Sequence, residues 1–303
     1  MRSSPPDLTY PVAPTTDTSR VLICTLGDLL LDVVVRLDAP LEPGSDAPAR
    51  TSLSTGGQAA NVAAWAVALG AQARVVCRRG TGGAAILAEQ GLRARGVELV
   101  GPQSEEEGGV VVSLVDVDGD RTMASDRGAS PGLRAADIEP SWFARAGALH
   151  LSGYSLLREP IAGAARHAAV LARAAGARVS VDLAAAPLIA AHGAARFRAE
   201  LAELAPDVVF ATVAEEHAVG GPLAVPIWVR KRGPEGCEAL FGGDRLALPI
   251  VPGNVVDATG AGDALAAGFL IGGDPRTALQ HGLAAAARCV ATTGAMPPTV
   301  SAP

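Results

Sequence analysis

ALHLSGYSLLREPIAGAARHAAVLARAAGARVSVD, residues 148–182, reads as strand, helix, strand. Ala148–Leu151 and Arg178–Asp182 are short apolar runs, and about Pro160–Ala175 is an alanine-rich helical stretch between them. The pattern continues with a helix over Ala194–Leu204 and strands over Asp207–Phe210 and Pro226–Arg230. Such alternation predicts a parallel sheet with helices on both faces. Upstream, Val21–Leu26 reads as a buried first strand, Gln58–Leu69 as a helix stopped by Gly70, Arg74–Cys77 as a strand and Ala84–Arg95 as a helix stopped by Gly96. Downstream lie a hairpin, Cys237–Phe241 with Arg245–Pro249, and two helices, Ala261–Ile271 and Pro275–Thr292. Two strand pairs break the alternation: Asp32–Leu37 with Ala49–Leu53, and Val110–Val117 with Arg121–Ala124 around the turn Asp118-Gly119. They predict a small antiparallel extension over one edge of a single doubly wound domain.

The 303 residues, 49% of them hydrophobic, suffice for one large α/β domain. Residues 1–20, rich in Ser, Thr, Pro and Asp, read as a disordered tail, and 21–303 as the domain. A net charge of −6 argues against a nucleic-acid partner. No apolar run is long enough to span a membrane. Cys24, Cys77, Cys237 and Cys289 lack metal-ligand spacing and read as buried, reduced thiols of a cytoplasmic protein.

Asp257-Ala258-Thr259-Gly260-Ala261-Gly262-Asp263 carries the strongest chemical signal. An apolar strand segment, Leu248–Val251, is expected before it and a helix after it. Small residues at 259–262 leave the N–H groups of the first helical turn uncovered, which makes an anion site. A carboxylate at Asp263 repels a phosphate, but it suits a group that takes a proton from a hydroxyl attacking phosphorus. The alternative is an acid merely favoured by the helix dipole, beside glycines that punctuate a turn. Gly56-Gly57 opens a second site, where a backbone without side chains approaches a ligand and Asn61 offers a donor and an acceptor to a hydroxyl. A plain helix entry with a solvent-facing Asn61 is the other reading. Asp28 and Asp32 follow the first strand, where doubly wound sheets bind ligands; both also suit a turn or the surface. His150, inside an apolar strand, reads as a hydrogen-bonded core residue. The chain has neither the Gly-Lys-Ser/Thr of a P-loop nor a Gly-x-Ser-x-Gly elbow.

Gly56-Gly57-x-x-x-Asn61-x-Ala63 with Leu69-Gly70, followed far downstream by Asp257–Asp263, resembles the two signatures of the ribokinase (PfkB-type) carbohydrate kinase family, and the likeness runs from about Val21 to Ala295. The resemblance implies a ribokinase-like fold, a doubly wound, mostly parallel sheet with helices on both faces and a small β-lid, here about 33–55 and 108–126. It implies ATP and Mg²⁺, and K⁺ in some members. Asp263 is implied as general base, with the backbone of Gly260, Ala261 and Gly262 on the transferring phosphate. Asp32, Gly57 and Asn61 match sugar-binding positions. Lys231, Arg232, Gly233 and Gly236 match the nucleotide-site stretch. Asp257 and Thr259 match the monovalent-cation region, and Glu215 is implied to reach Mg²⁺ through a water. The chain departs from the family at Thr212, where Asn is frequent, at Gly80-Thr81-Gly82, at Ala258, and at Ser180–Ala184, which argues against a sugar-acid substrate.

The expected activity is transfer of the ATP γ-phosphate to a primary hydroxyl of a sugar or related small molecule. A nucleoside kinase with the same machinery and a non-catalytic ligand-binding member of the fold are the alternatives. Open lid edges predict pairing between subunits as a homodimer.

Overall fold

The computed structural model describes residues 21–299; the expected tail at 1–20 lies outside them. In chain order the first elements are β1 (Leu22–Leu26), β2 (Leu30–Leu37), β3 (Ala49–Gly56), α1 (Gln58–Ala68), β4 (Gln72–Val76), β5 (Arg79–Thr81), α2 (Gly82–Arg93), β6 (Glu98–Val100), β7 (Gln103–Val115) and β8 (Arg121–Gly128). Then come β9 (Ala146–Ser152), α3 (Ile161–Ala174), β10 (Arg178–Asp182), α4 (Ala186–His192), α5 (Ala194–Leu204), β11 (Val208–Thr212) and α6 (Val213–Ala218). The chain closes with β12 (Ile227–Lys231), β13 (Cys237–Phe241), β14 (Asp244–Leu248), α7 (Ala261–Ile271) and α8 (Pro275–Val290).

The main sheet has nine strands in the order β14-β13-β12-β11-β10-β9-β1-β4-β6. β6 through β12 along this order are parallel, and the β12–β13–β14 meander is antiparallel. Successive side chains of a strand point to opposite faces, so each strand feeds two cores. Ile23, Val208 and Phe210 pack under α1, α7 and α8 with Trp65 and Phe269. Cys24, Val209 and Ala211 pack on the other side under α3 and α5 with Phe143 and Phe197. All four cysteines are buried and free. His150 is fully buried, with Nδ1 2.9 Å from Ser180 Oγ, and burial pushes its pKa down to about 4. It is the core residue the sequence suggests.

The lid is a second sheet, β3-β2-β7-β5, with β8 on the other side of part of β7. Its composition corrects the expected antiparallel extension. β2 and β7 run parallel, as do β5 and β7, and only the hairpins β2–β3 and β7–β8 are antiparallel. β7 re-enters after the α2–β6 crossover and so travels with β2. It also starts at Gln103, because Glu105–Glu107 continues the strand as polar edge residues. A second correction concerns Leu248–Val251. β14 ends at Leu248, and 249–257 is irregular, since Pro249 and Pro252 cannot donate to a ladder.

Candidate active site

The site gathers at the C-terminal ends of the parallel strands, beneath the lid. At its centre Asn61, from the first turn of α1, donates from Nδ2 to Asp263 Oδ2 at 2.7 Å. The two residues are 202 positions apart in sequence. Asn61 is therefore buried and does not face solvent. Its Oδ1 is buried with no hydrogen-bond partner among the described residues, and a buried acceptor left alone costs about 1–3 kcal/mol. A ligand hydroxyl would satisfy it.

Asp263 is buried in the first turn of α7. Burial pushes its pKa up to about 7, against hydrogen bonds from Asn61 and Gln58 and the charge of Lys231. Gly260 caps this helix with φ +78°, and a Cβ there would lie 2.6 Å from Ala295 Cα. Only glycine permits both the left-handed backbone and the approach. Ala261 N–H turns back to Ala258 O at 3.3 Å. Of the expected Gly260–Gly262 set the Ala261 N–H is thus engaged by the loop, while the N–H groups of the first helical turn are the ones a helix leaves for an anion.

The segment after α8 forms the floor of this helix start. Trp65 Nε1 donates to Ala295 O at 2.8 Å, Cys289 Sγ lies 3.3 Å from Thr259 O, and Gly294 N–H reaches Asp257 Oδ2 at 3.0 Å.

Lys231, the one lysine of the chain, ends β12 and points at the same place. Its Nζ is 2.6 Å from Asp182 Oδ2 and 4.0 Å from Glu215 Oε2. A Cβ added to Gly262 would sit 3.4 Å from Nζ, so the ammonium lies beside the start of α7. Burial opposes the charge, but Asp182 and Glu215 outweigh it and hold the amine above its ordinary pKa. Glu215 in turn is raised, chiefly by burial. Thr212 and Glu215 cap α6 reciprocally: Thr212 N–H donates to Glu215 Oε2 at 2.7 Å and Glu215 N–H to Thr212 Oγ1 at 3.2 Å. The departure at Thr212 is thus a helix cap. Arg232 pairs with Glu235 at the 233–236 turn, and its guanidinium does not join Lys231.

The acceptor side is built on Gly57 and the lid. Gly57 has φ +99°, and a Cβ there would be 2.3 Å from Asp28 O. Gly57→Ala is expected to cost about 2 kcal/mol or more through strain and collision, read as a lower midpoint in urea unfolding. Asp28 is held by Arg127 of β8, with Nε to Oδ2 at 2.6 Å and Nη2 to Oδ1 at 2.8 Å. Arg127 also stacks 5.9 Å from the Tyr154 ring centre. Burial raises the pKa of Asp32 to about 6, opposed by the charge of Arg121. Arg121 bonds Asp257, whose carboxylate also accepts Thr259 N–H at 3.0 Å and Thr259 Oγ1 at 2.7 Å. These bonds overcome burial and hold Asp257 down at about 2.

Arg127 also lines a polar cavity of about 360 Å³, together with Arg78, Arg134 and Arg158 and the carboxylates Glu106, Asp126 and Glu159. Arg78 pairs with Glu106; the guanidiniums of Arg134 and Arg158 have no ion pair among the described residues. Asp182, Arg121, Arg127 and Gln58 were not singled out from the sequence. Asp182 stood at the end of a parallel strand, and Arg121 and Arg127 at an even spacing on one lid strand; those were the available signals.

Among the described residues no group of three His, Cys, Asp or Glu side chains could cage a metal, and no helix is long and apolar enough to cross a membrane. Residues 21–302 match the pfkB family of carbohydrate kinases. An ATP-dependent ribose-1-phosphate kinase of Halopiger xanaduensis is 31% identical over 295 residues, covering 91% of this chain and 94% of that protein. Adenosine kinase from Sinorhizobium meliloti superposes with a TM-score of 0.79 at 24% identity, covering 92% of this chain and 96% of its own. An E. coli chain described as ribokinase II, crystallised with ATP and Mg²⁺, has a TM-score of 0.79 at 20% identity with the same coverage. The chain is a member of the pfkB family of carbohydrate kinases.

Proposed function

We propose that this kinase transfers the γ-phosphoryl group of ATP to a hydroxyl, primary by expectation, of a sugar that already carries a phosphate. The observation that carries the reaction is the buried Asn61–Asp263 pair at the start of α7, with Asn61 Oδ1 left unsatisfied. The acceptor hydroxyl lies against Asp263, which takes its proton as the oxygen–phosphorus bond forms. The bond from the γ-phosphorus to the bridging oxygen breaks, and ADP leaves with the electron pair. The N–H groups of Gly262 and Asp263 and the Lys231 ammonium stabilise the charge on the transferring group. Asp28, Asp32, Gly57 and Asn61 position the sugar. The lid excludes water.

A single accessible carboxylate suits Mg²⁺, which keeps its waters and is held largely by phosphates. Glu215 would hold it through water, since Thr212 N–H and the Lys231 charge face only Oε2. When bound, the ion would supply neutralisation of the phosphate charge. Lys231, the 232–236 turn and the exposed apolar side chains of Ile250, Val251, Val255 and Val256 would flank the nucleotide, with Thr259 at the phosphate loop.

The guanidiniums of Arg134 and Arg158, which have no ion pair among the described residues, support a phosphate on the acceptor, in agreement with the name of the Halopiger relative. Guanidinium–phosphate bonds are bidentate and strong. The test is ADP formation with ribose 1-phosphate, ribose and adenosine. kcat/KM for the sugar phosphate should exceed that for ribose at least a hundredfold. Arg158→Gln should raise its KM about tenfold while leaving the ribose rate unchanged. Tyr154 and Arg127 offer a stacking surface that favours a nucleoside as second acceptor class; adenosine turned over best would replace the first.

The free, buried cysteines support a reducing, cytoplasmic setting. Strands β3 and β8 each have one open edge and expose Leu53 and Met123, which supports a lid-to-lid homodimer. Neither nucleic acid nor membrane enters the proposal.

A further inference from the structure

Asp257 occupies the place where the family resemblance implies a monovalent cation. Its carboxylate has about four lone-pair positions. Thr259 N–H and Oγ1 take Oδ1, Gly294 N–H takes Oδ2, and Arg121 Nη2 lies 3.2 and 3.0 Å from the two oxygens. The donor set is complete without an ion, and a guanidinium already stands where an alkali cation would bring its charge. The residues present do not fit a potassium site.

Arg121 belongs to the lid. It pairs with Val115 in the β7–β8 hairpin, whereas Asp257 opens the loop that ends in Asp263. We infer that Arg121 replaces the monovalent cation: it supplies the positive charge that orders the 257–263 loop, and it does so from the lid. Turnover then needs no alkali cation. Lid closure and loop ordering become one event, because the charge arrives only when β8 folds over the site. Arg121 is a positioning residue, acting on the phosphate donors of α7 through Asp257. Asp257 is buried and Arg121 mostly so, so the pair is little screened by salt.

This inference rests on the kinase assignment, but its binding test does not. Three measurements compare potassium chloride with choline chloride at equal ionic strength. First, the melting temperature of the full chain should be the same in both. A cation bound to the native state alone would raise it by several degrees at saturating concentration, and such a rise would overturn the inference even in a preparation without turnover. Second, wild-type kcat should differ less than twofold between the salts; a tenfold stimulation by potassium would overturn it. Third, Arg121→Ala should lose at least tenfold in kcat in choline and regain part of it in potassium, since the vacated carboxylate becomes a cation ligand. Arg121→Gln, which keeps a donor but no charge, should behave like the alanine variant. Either variant with wild-type kcat in choline would show that the guanidinium does not order the loop. Loss of kcat in the alanine variant without any potassium rescue would show that Arg121 acts on the lid alone, and would likewise overturn the substitution of cation by guanidinium.

Discussion

Asp263→Asn should lower kcat at least a hundredfold, the usual contribution of a general base, and should melt at a higher temperature than the wild type at pH 8. The two effects share one origin. The carboxylate is buried against Asn61, and burial lifts its pKa from 3.8 to about 7. The folded state therefore holds this proton more tightly than the unfolded state. The sign follows: stability is fully present below about pH 4 and is lost as pH rises through 7. At pH 8 the ionised group costs on the order of a few kcal/mol, which the amide avoids while its oxygen still accepts from Asn61. The melting-temperature gap between variant and wild type should widen from pH 5 to pH 8. In the wild type, kcat/KM should fall about tenfold per pH unit below 7, as the base is protonated. Near-normal turnover of the variant would sink the catalytic role. A gap independent of pH would sink the account of the buried charge.

Lys231→Met should be the most damaging change outside Asp263. The ammonium sits between Asp182, 1% exposed, and Glu215, 9% exposed, next to the start of α7. Its removal leaves the buried Asp182 carboxylate without a cationic partner, a loss of about 3–5 kcal/mol. On the proposed mechanism it also withdraws a charge from the transferring phosphate, worth about a hundredfold in kcat. A structural loss alone would leave the pH profile of the residual activity in place. Lys231 lowers the pKa of Asp263, so the acid limb should move to higher pH in the variant. An unmoved limb would separate Lys231 from the base and refute its place in the site.

Sequence periodicity carried the main sheet well, because parallel strands buried on both faces leave apolar runs that helices interrupt. Arg178–Asp182, Cys237–Phe241, Ala194–Leu204 and Ala261–Ile271 have the bounds the pattern predicts. It failed where elements are too short to show a period: β5 and β6 have three residues each, and α4 and α6 only seven and six. The α6 cap, Thr212-x-x-Glu215, carries a capping-box pattern that registered in the sequence only as a departure from the family motif. In the site, Asp263 and Asn61 were legible because small residues and helix starts constrain the backbone locally. Arg121, Arg127 and Asp182 were not, because an ion pair between a lid strand and a distant loop depends on register and lid placement. A lone arginine on a strand carries no mark of its partner.

The floor beneath α7, made by Gly294 and Ala295, has a consequence for how the enzyme comes into being. The ribosome makes Asn61 long before Ala295, and Trp65 waits for a carbonyl 230 residues away. A nascent chain released as far as Val290 already holds Lys231, Asp257 and Asp263, yet lacks the backbone that fixes their loop. Contacts of such sequence separation are slow to form, because loop-closure entropy must be met first. A polypeptide that stops at Val290 thus carries its acid and its lysine without the backbone that orders their loop, and activity requires Gly294 and Ala295 rather than accumulating with length.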